Sequence, residues 1–369
     1  MFLLLAWLAG WLLCFRVRVL SRSTRIARSS TRTVSVIVPA RDEAGQLPKL
    51  LRGLARQTAS PDEVIVVDDH SHDSTAAVAR TAGVEVVTAA DLPHGWTGKA
   101  WASWQGAQAA RGDVLVFLDA DTEPEPDLVE RVVAYRSRRG GLVSVQPYHR
   151  MQRPYERFSA LFNVIAVMGV GTSALWRPRR VSGAFGACVT VRRDDYLAHG
   201  DHESVRGSVL EDVALARRMQ AAGQPVDSVG GRGAISFRMY PRGVRQLVEG
   251  WSKNFSTGAG TTPLWRIALT FLWVAGALFA GWNAWRGAID LVAGGSGPGA
   301  IVWVAYGAYA VQLFVMLRQV GNFGVVTALL YPIPAFAFVA IFVWSLVLMA
   351  RGEVHWKGRS IPVRGARSR

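Results

Sequence analysis

Short apolar runs and helical patterns take turns along residues 33–121. Residues 34–38, 64–67 and 114–118 are nearly continuous stretches of Val, Ile and Leu. That is the pattern of strands buried on both faces of a parallel sheet. The shorter run at 84–87 reads as a further strand. Between the strands, Leu47, Leu50, Leu51 and Leu54 recur at helical spacing within 44–57. A short helix is expected near 74–82, and the small-residue segment 99–110 reads as another. This alternation predicts an α/β fold, a mostly parallel sheet with helices on both faces. Ligands of such sheets bind beyond the carboxyl ends of the strands. Pro39, Arg41 and Glu43, the pair Asp68-Asp69, and the triplet Asp119-Ala120-Asp121 all stand at such ends. Three islands distant in sequence are therefore expected to converge on one crevice.

A second kind of apolar segment is longer. Residues 2–15 are almost wholly apolar, yet at about 1.5 Å per residue they fall short of a hydrocarbon layer of about 30 Å. Val17, Val19 and Leu20 extend the segment if Arg16 and Arg18 snorkel. Arginines follow the segment instead of preceding it, the reverse of a cleaved signal peptide. Residues 1–20 are accordingly expected to form an N-terminal transmembrane anchor, with the chain from about residue 21 in the cytoplasm. Residues 158–176 are apolar too, but acidic motifs lie on both sides, and a single crossing would separate them. They read as an interfacial or partly buried helix. Segments 264–285, 300–317 and 325–350 make residues 264–350 a C-terminal membrane region of two or three helices. Pro332 and Pro334 make the last one irregular. Three crossings would put the basic tail, 351–369, outside, against the positive-inside rule, and the count stays open.

Composition fits a catalytic domain, residues 33–260, carrying such segments. The 369 residues include 14 Trp, the formal net charge is +15 and the mean hydropathy is +0.18. The basic residues cluster beside apolar segments: Arg16, Arg18, Arg22 and Arg25 after the first, Arg351, Lys357 and Arg359 after the last. Placed there, they read as topology determinants and contacts to anionic lipid, not as a nucleic-acid surface. Cys14 and Cys188 suggest neither a disulfide framework nor a thiolate metal site.

The charged residues at the strand ends carry the candidate chemistry. Two carboxylates one residue apart at a strand tip, Asp119 and Asp121, can hold a divalent cation facing a diphosphate; the plainer alternative is a solvated acidic turn. Asp68 and Asp69 can accept from a base N–H or a ribose hydroxyl, or simply form an Asx turn. His70 and His72 read as solvated turn residues. Lys99 opens a helix, where an ammonium and a helix N-terminus together attract an anion; a surface lysine is the alternative. Glu211-Asp212 begins another helix, a placement that the helix dipole alone would favour.

The motifs Val36-Ile37-Val38-Pro39-Ala40-Arg41-Asp42-Glu43, Val66-Val67-Asp68-Asp69-His70-Ser71, Phe117-Leu118-Asp119-Ala120-Asp121 and Leu210-Glu211-Asp212 stand in the order seen in glycosyltransferase family 2, which the chain resembles over about residues 33–260. The segments Gly95-Trp96-Thr97-Gly98-Lys99-Ala100-Trp101, Gly250-Trp251-Ser252-Lys253-Asn254 and Trp356-Lys357-Gly358-Arg359 resemble membrane-anchored bacterial members acting on carotenoids or associated with hopanoids. The resemblance implies a GT-A-like fold and an enzyme moving a sugar from a nucleoside diphosphate, a UDP-sugar, to a lipid-soluble acceptor such as a carotenoid or other isoprenoid. A polyprenyl phosphate or glycolipid carrier is an alternative acceptor, and a non-catalytic scaffold is an alternative class. It implies that Pro39, Arg41, Glu43, Asp68, Asp69, Lys99 and Asp119 bind the nucleotide sugar. Asp119 and Asp121 would hold Mg²⁺ or Mn²⁺, Asp121 the more directly. In the Glu211-Asp212 pair, Asp212 would be the general base of an inverting transfer. If the acceptor is already a carboxylate, Asp212 would orient it more than deprotonate it. Gly183, Ala184 and Phe185, within residues 182–187, and Trp251 would face the acceptor. Polymerising members carry Gln-x-x-Arg-Trp after the base. Gln246 and Trp251 depart from that spacing, which favours transfer of a single sugar.

Overall fold

The computed structural model describes residues 1–21, 32–176, 181–208, 210–258, 262–351, 354–356 and 359–361. The chain forms two compact units: residues 18–149 with 179–238, and residues 1–17, 150–178 and 239–369.

The first unit is built on a seven-stranded sheet. Its strands are β1 (Val34–Ala40), β2 (Glu63–Asp68), β3 (Glu85–Thr88), β4 (Val114–Leu118), β6 (Leu142–Gln146), β8 (Cys188–Arg192) and β9 (Val226–Gly230), in the order β3-β2-β1-β4-β8-β6-β9. Neighbours are parallel except at β8, which runs antiparallel to both β4 and β6. A small second sheet joins β5 (Thr122–Pro124), β10 (Ile235–Phe237) and β7 (Tyr148–His149). With α1 (Phe2–Leu13) assigned to the other unit, the helices here are α2 (Leu47–Ala55), α3 (Thr75–Thr81), α4 (Gly98–Ala109) and α5 (Leu128–Arg139). After α6 (Ala160–Val170), also in the other unit, come α7 (Arg193–His199) and α8 (Glu211–Ala221).

The continuous apolar runs are explained by a core on each face of the sheet. Val36, Val38, Val66, Val116 and Leu118 point to one face and pack with Leu47, Leu50, Leu51 and Leu54 of α2. Ile37, Ile65, Val67, Leu115 and Phe117 point to the other and pack with Ala102 and Ala107 of α4 and Leu215 and Met219 of α8. Each such Val, Leu or Ile contributes about 1.5–3 kcal/mol by leaving water. Small residues bring α4 close: a Cβ on Gly106 would sit 2.5 Å from Ile37 Cγ2.

The second unit is helical. It contains α1, α6, α9 (Val244–Gly258), α10 (Leu264–Val292), α11 (Ala300–Val320), α12 (Gly324–Leu329) and α13 (Pro332–Arg351). Among the described residues two helices are long and apolar enough to cross a membrane, α10 with 29 residues and α11 with 21. Helices α1, α10 and α11 share a polar junction. The Trp273 indole N–H donates to Gln312 Oε1 at 2.8 Å, and Gln312 Nε2 donates to the Trp7 carbonyl at 2.8 Å. In apolar surroundings, where water offers no replacement, such pairing is needed.

Several expected boundaries move. The first helix stops at Leu13 and does not run on to Leu20; its 12 residues span about 18 Å. Arg18 does not snorkel: it donates to Asp227 at 2.8 Å, and Val19 bridges to Gly230. Within residues 158–176 only α6, 11 residues, is α-helical, and it ends at Gly171 in the left-handed region (φ 83°). It is largely buried inside its unit, on the partly buried side of the expectation. The third C-terminal segment is broken, with α12 ending at Leu329 and α13 starting at Pro332, where the ring's fixed φ suits a first helical position. Val354–Trp356 and Arg359–Ile361 pair antiparallel. Arg22, Arg25, Lys357, Gly358 and residues 362–369 lie outside the described residues.

Candidate active site

Strands β2, β1 and β4 are parallel neighbours, so their carboxyl ends share one edge of the sheet. Strand β8 is antiparallel to β4, with Cys188 opposite Leu118. It therefore begins where β4 ends, which delivers residues 182–187 to the same edge. The Asp119 N–H donates to the Ala187 carbonyl at 3.0 Å. The edge opens into a cavity whose lining includes Pro39, Lys99, Asp119, Gly186, Glu211 and Asp212. The shared sheet edge expected from the alternation is thus present; Pro39 and Asp119 line the cavity, Asp68 and Asp69 are outside its lining, and α8 brings its acidic first turn to it.

The loops after β1 and β2 are stitched together. The Asp69 N–H donates to the Ala40 carbonyl at 2.9 Å, that of Glu43 to Thr75 Oγ1 at 2.8 Å and that of Ala44 to Asp73 Oδ2 at 3.0 Å. Asp42 Oδ1 accepts the His72 N–H at 2.7 Å. Asp42 (φ 54°) and His70 (φ 52°) occupy the left-handed region, each at a cost of about 1–2 kcal/mol that this stitching offsets. Arg41 Nη1 lies 3.3 Å from the Asp69 carbonyl and 3.6 Å from its Oδ2, so the guanidinium fixes the second aspartate. Asp68 is 7% exposed, and its Oδ1 has no hydrogen-bond partner among the described residues. A buried oxygen left unmet is costly, and one at a strand end suits a ligand N–H or O–H. The His72 side chain is 78% exposed. Among the described residues no group of three or more His, Cys, Asp or Glu is arranged to hold a metal ion.

Lys99 is the electrostatic hub. Its Nζ lies 2.7 Å from Asp119 Oδ1 and 3.3 Å from Glu211 Oε1. Burial would lower the pKa of the ammonium, but the carboxylates of Asp119, Glu211 and Asp212 outweigh it and hold the group above its ordinary value. Lys99 sits in the first turn of α4, flanked by Trp96, Trp101 and Trp104. Trp101 and Trp104 stack at 5.2 Å, and the Trp101 N–H donates to the Ala90 carbonyl at 2.8 Å. These indoles anchor the turn that carries the cation.

Asp212 sits beside the hub. Burial first, and then the neighbouring Glu211 charge, push its carboxyl up to about 7, with Lys99 opposing. A carboxylate of that basicity can accept a proton near neutrality. Gly186 leaves room for it, since a Cβ there would stand 2.5 Å from Asp212 Oδ2. The loop around Gly186 is held by Ser144: the Phe185 N–H donates to Ser144 Oγ at 2.6 Å, and that hydroxyl donates to the Phe185 carbonyl at 2.9 Å. Ala184 is buried, and a Cβ on Gly183 would stand 3.2 Å from Val213. Gly183, Ala184 and Phe185 thus pack behind Gly186, the residue of this loop that lines the cavity.

Of the residues expected from the sequence, Pro39, Lys99, Asp119, Glu211 and Asp212 line the cavity; Arg41, Glu43, Asp68, Asp69, Gly183, Ala184 and Phe185 are outside its lining, and so are Asp121 and Trp251. Asp121 lies just beyond Asp119, partly buried, where the chain turns into β5. Trp251 belongs to the helical unit, where its indole is 3% exposed, stacks on Phe162 at 4.7 Å and donates to Ser159 Oγ at 3.3 Å. Ser103, Phe117 and His202 also line the cavity, and sequence reasoning did not find them. His202 lies in the loop between α7 and α8, where an isolated histidine has no periodic or motif signal.

The family description Glycosyl transferase family 2 matches residues 35–199. The chain is 36% identical to the 4,4'-diaponeurosporenoate glycosyltransferase of Staphylococcus haemolyticus (strain JCSC1435) over 280 residues, 74% of each chain. It is 35% identical to the protein of the same name from Staphylococcus aureus (strain MRSA252) over 338 residues, 90% of this chain and 89% of that one. Among solved structures, the mannosyltransferase PcManGT from Pyrobaculum calidifontis, in complex with GDP-Man and Mn²⁺, shares the fold. Its TM-score is 0.50 at 19% identity, over 93% of this chain and 94% of that one. The GT-A-like α/β architecture expected from the sequence is the one observed. With similarity to named glycosyltransferases along nine-tenths of its length and an acidic set gathered at one sheet edge, the chain is an enzyme of glycosyltransferase family 2.

Proposed function

We propose that this enzyme transfers a single sugar, with inversion, from a nucleoside-diphosphate sugar, a UDP-sugar, to a lipid-soluble acceptor of the carotenoid or isoprenoid kind. The observation that carries the reading is the Asp119–Lys99–Glu211 ion cluster with Asp212 beside it in one cavity at the carboxyl edge of the sheet. Asp68 offers its unmet oxygen to the nucleoside, and Arg41 holds Asp69 ready beside it. Lys99 balances the carboxylates around it and offers positive charge to the diphosphate. On a hydroxyl acceptor, Asp212 takes the proton as the oxygen attacks the anomeric carbon. The bond to the diphosphate breaks, and its electron pair leaves with the nucleoside diphosphate. Attack from the Asp212 side, away from the leaving group, inverts the anomeric centre. On a carboxylate acceptor no proton is transferred, and Asp212 orients the incoming group through an intervening donor.

A divalent cation fits the donor chemistry. Asp119 and Asp121 supply hard oxygens, and two carboxylates with substrate phosphates and waters are the ligand set that Mg²⁺ or Mn²⁺ takes. When bound, the ion neutralises charge developing on the leaving diphosphate. Helices α10 and α11 support a multi-pass enzyme of the cell membrane, with the α/β unit on the cytoplasmic side, where nucleotide sugars are made.

The test is transfer by detergent-purified full-length protein from UDP-glucose to a carotenoid carboxylic acid or alcohol, read by mass spectrometry and by the anomeric proton coupling of the product. A β-linked product from the α-linked donor, lost with chelator and restored by Mn²⁺ or Mg²⁺, is expected. A retained configuration, or full activity in chelator, would refute the corresponding part.

A further inference from the structure

His202 is 5% exposed, lines the cavity that holds Lys99, Asp119 and Asp212, and belongs to no motif. Its environment fixes which nitrogen carries the proton. The backbone N–H of His202 donates to the Tyr196 hydroxyl oxygen at 3.1 Å. That hydroxyl lies 2.8 Å from His202 Nδ1. Tyr196 is itself fully buried, so its O–H proton needs an acceptor, and Nδ1 is the acceptor within reach. The network therefore assigns the proton of the neutral ring to Nε2. The ring meets Phe117 edge-to-face, centroids 5.0 Å apart. Burial and the nearby Lys99 charge push the imidazole down to about 3, which keeps it neutral at any working pH. Among the described residues, no protein group takes the Nε2–H.

We propose that His202 is a neutral hydrogen-bond donor of the transfer site, which gives its Nε2–H to an oxygen of the bound nucleoside-diphosphate sugar, with Tyr196 as the positioning residue that sets its tautomer. The proposal rests on the reading of this cavity as the sugar-nucleotide site. The chemistry suits the place. An acidic cavity binding an oxygen-rich ligand gains from a donor without charge, which neither competes with Lys99 nor with a divalent cation. A diphosphate oxygen and a sugar hydroxyl are both acceptors of this kind, and the experiment separates them.

The full-length detergent-purified protein is titrated calorimetrically with UDP-glucose and with UDP, as wild type, His202→Gln and His202→Leu. The Gln side-chain amide keeps an N–H near the Nε2 position, whereas Leu keeps volume and loses the donor. Leu is expected to raise the Kd for UDP-glucose about tenfold, the loss of one good hydrogen bond, with Gln recovering most of it. An equal loss for UDP assigns the acceptor to the diphosphate; an unchanged UDP Kd assigns it to the sugar. Equal UDP-glucose affinity in all three proteins overturns the proposal. A wild type that binds no sugar nucleotide overturns the reading of the cavity, and this proposal with it. Histidine ¹⁵N spectra of the wild type need no variant to fold. Protonated Nε2 and bare Nδ1 are expected for one histidine, its Nε2 resonance moving on addition of UDP-glucose; the opposite tautomer refutes the assignment.

Discussion

Replacing Gly186 by alanine tests whether the position of the Asp212 carboxylate decides the rate. The added Cβ would stand 2.5 Å from Oδ2, 2.9 Å from Cγ and 3.1 Å from Cβ of Asp212. An ordinary carbon–oxygen contact needs about 3.4 Å, so the carboxylate must retreat by about 0.9 Å. The main chain is not the obstacle, because Gly186 has no positive φ. Asp212 is a side chain at the cavity wall and can rotate, so the fold has little to lose. Removing a glycine also restricts the unfolded chain, which adds about 0.4–1 kcal/mol of stability. A base displaced by about 1 Å from its acceptor costs about 100-fold in rate, about 2.7 kcal/mol in the barrier. Gly186→Ala is therefore expected to lower kcat with a hydroxyl acceptor about 100-fold, with the Kd for UDP-glucose and the melting midpoint nearly unchanged. Gly183→Ala is the control, because its Cβ would meet only Val213 at 3.2 Å; it should cost less than about threefold. The assay is steady-state transfer followed by chromatography of the lipid product. A Gly186→Ala enzyme with wild-type kcat would refute the placement of the base, and a large loss in donor affinity would assign Gly186 to the donor instead.

Asp212→Asn should abolish turnover on a hydroxyl acceptor while leaving UDP-glucose binding intact; wild-type turnover would sink the mechanism. Because burial and Glu211 push the Asp212 carboxyl up to about 7, the active deprotonated form is gained with rising pH. The kcat/KM should climb through about pH 7 and then level, and a pH–rate profile flat from 5 to 9 would contradict this. Lys99 opposes that shift, so Lys99→Met should move the acid limb of the profile above 7 and weaken UDP-glucose binding, both read from kinetics. The same raised pKa means that the folded state holds a proton which the unfolded chain releases near pH 4. The Asp212 contribution to stability thus falls as pH rises from about 4 to 7, and Asp212→Asn should raise the melting midpoint at pH 8 but not at pH 4. Arg131 is buried and donates to the Leu20, Ser21 and Gly233 carbonyls. Arg131→Met should cost about 3 kcal/mol by leaving them unmet, seen as an earlier thermal transition of the α/β unit.

Much of the α/β unit is legible in the sequence for a plain reason. Strand β4 has the expected limits because every residue from Val114 to Leu118 is buried, leaving its position no latitude. Helix α2 is shorter than expected at both ends, Leu47–Ala55, because its four leucines fix the buried stripe and not the termini. The first apolar segment was misjudged at its C-terminal end. Val17, Val19 and Leu20 look like continued hydrocarbon-facing residues, yet Leu20 packs into the core of the α/β unit and Arg18 finds Asp227, more than two hundred residues away. A contact between such distant partners leaves no local periodicity. In the site, Asp68, Asp69, Asp119, Glu211 and Asp212 could be nominated because strand ends and helix starts are marked by local patterns. Trp251 comes only from the family resemblance, and the tertiary structure gives its indole a stacking partner in Phe162 and a hydrogen bond to Ser159.

By itself the sequence determined the strand–helix alternation and the acidic residues at the strand ends, which follow from local burial patterns and chain order, and its ordered motifs carried the resemblance to the family. The tertiary structure decided what the charges do to each other. The antiparallel β8 turns residues 182–187 onto the tip of β4, α8 docks its first turn opposite, and Lys99 comes to stand between Asp119 and Glu211. Only through that closure does burial lift the Asp212 carboxyl toward neutrality and an unremarked histidine, held by Tyr196, come to face the cavity. Electrostatic strength depends on distance and on exclusion of water, and neither exists until residues far apart in the chain have packed together.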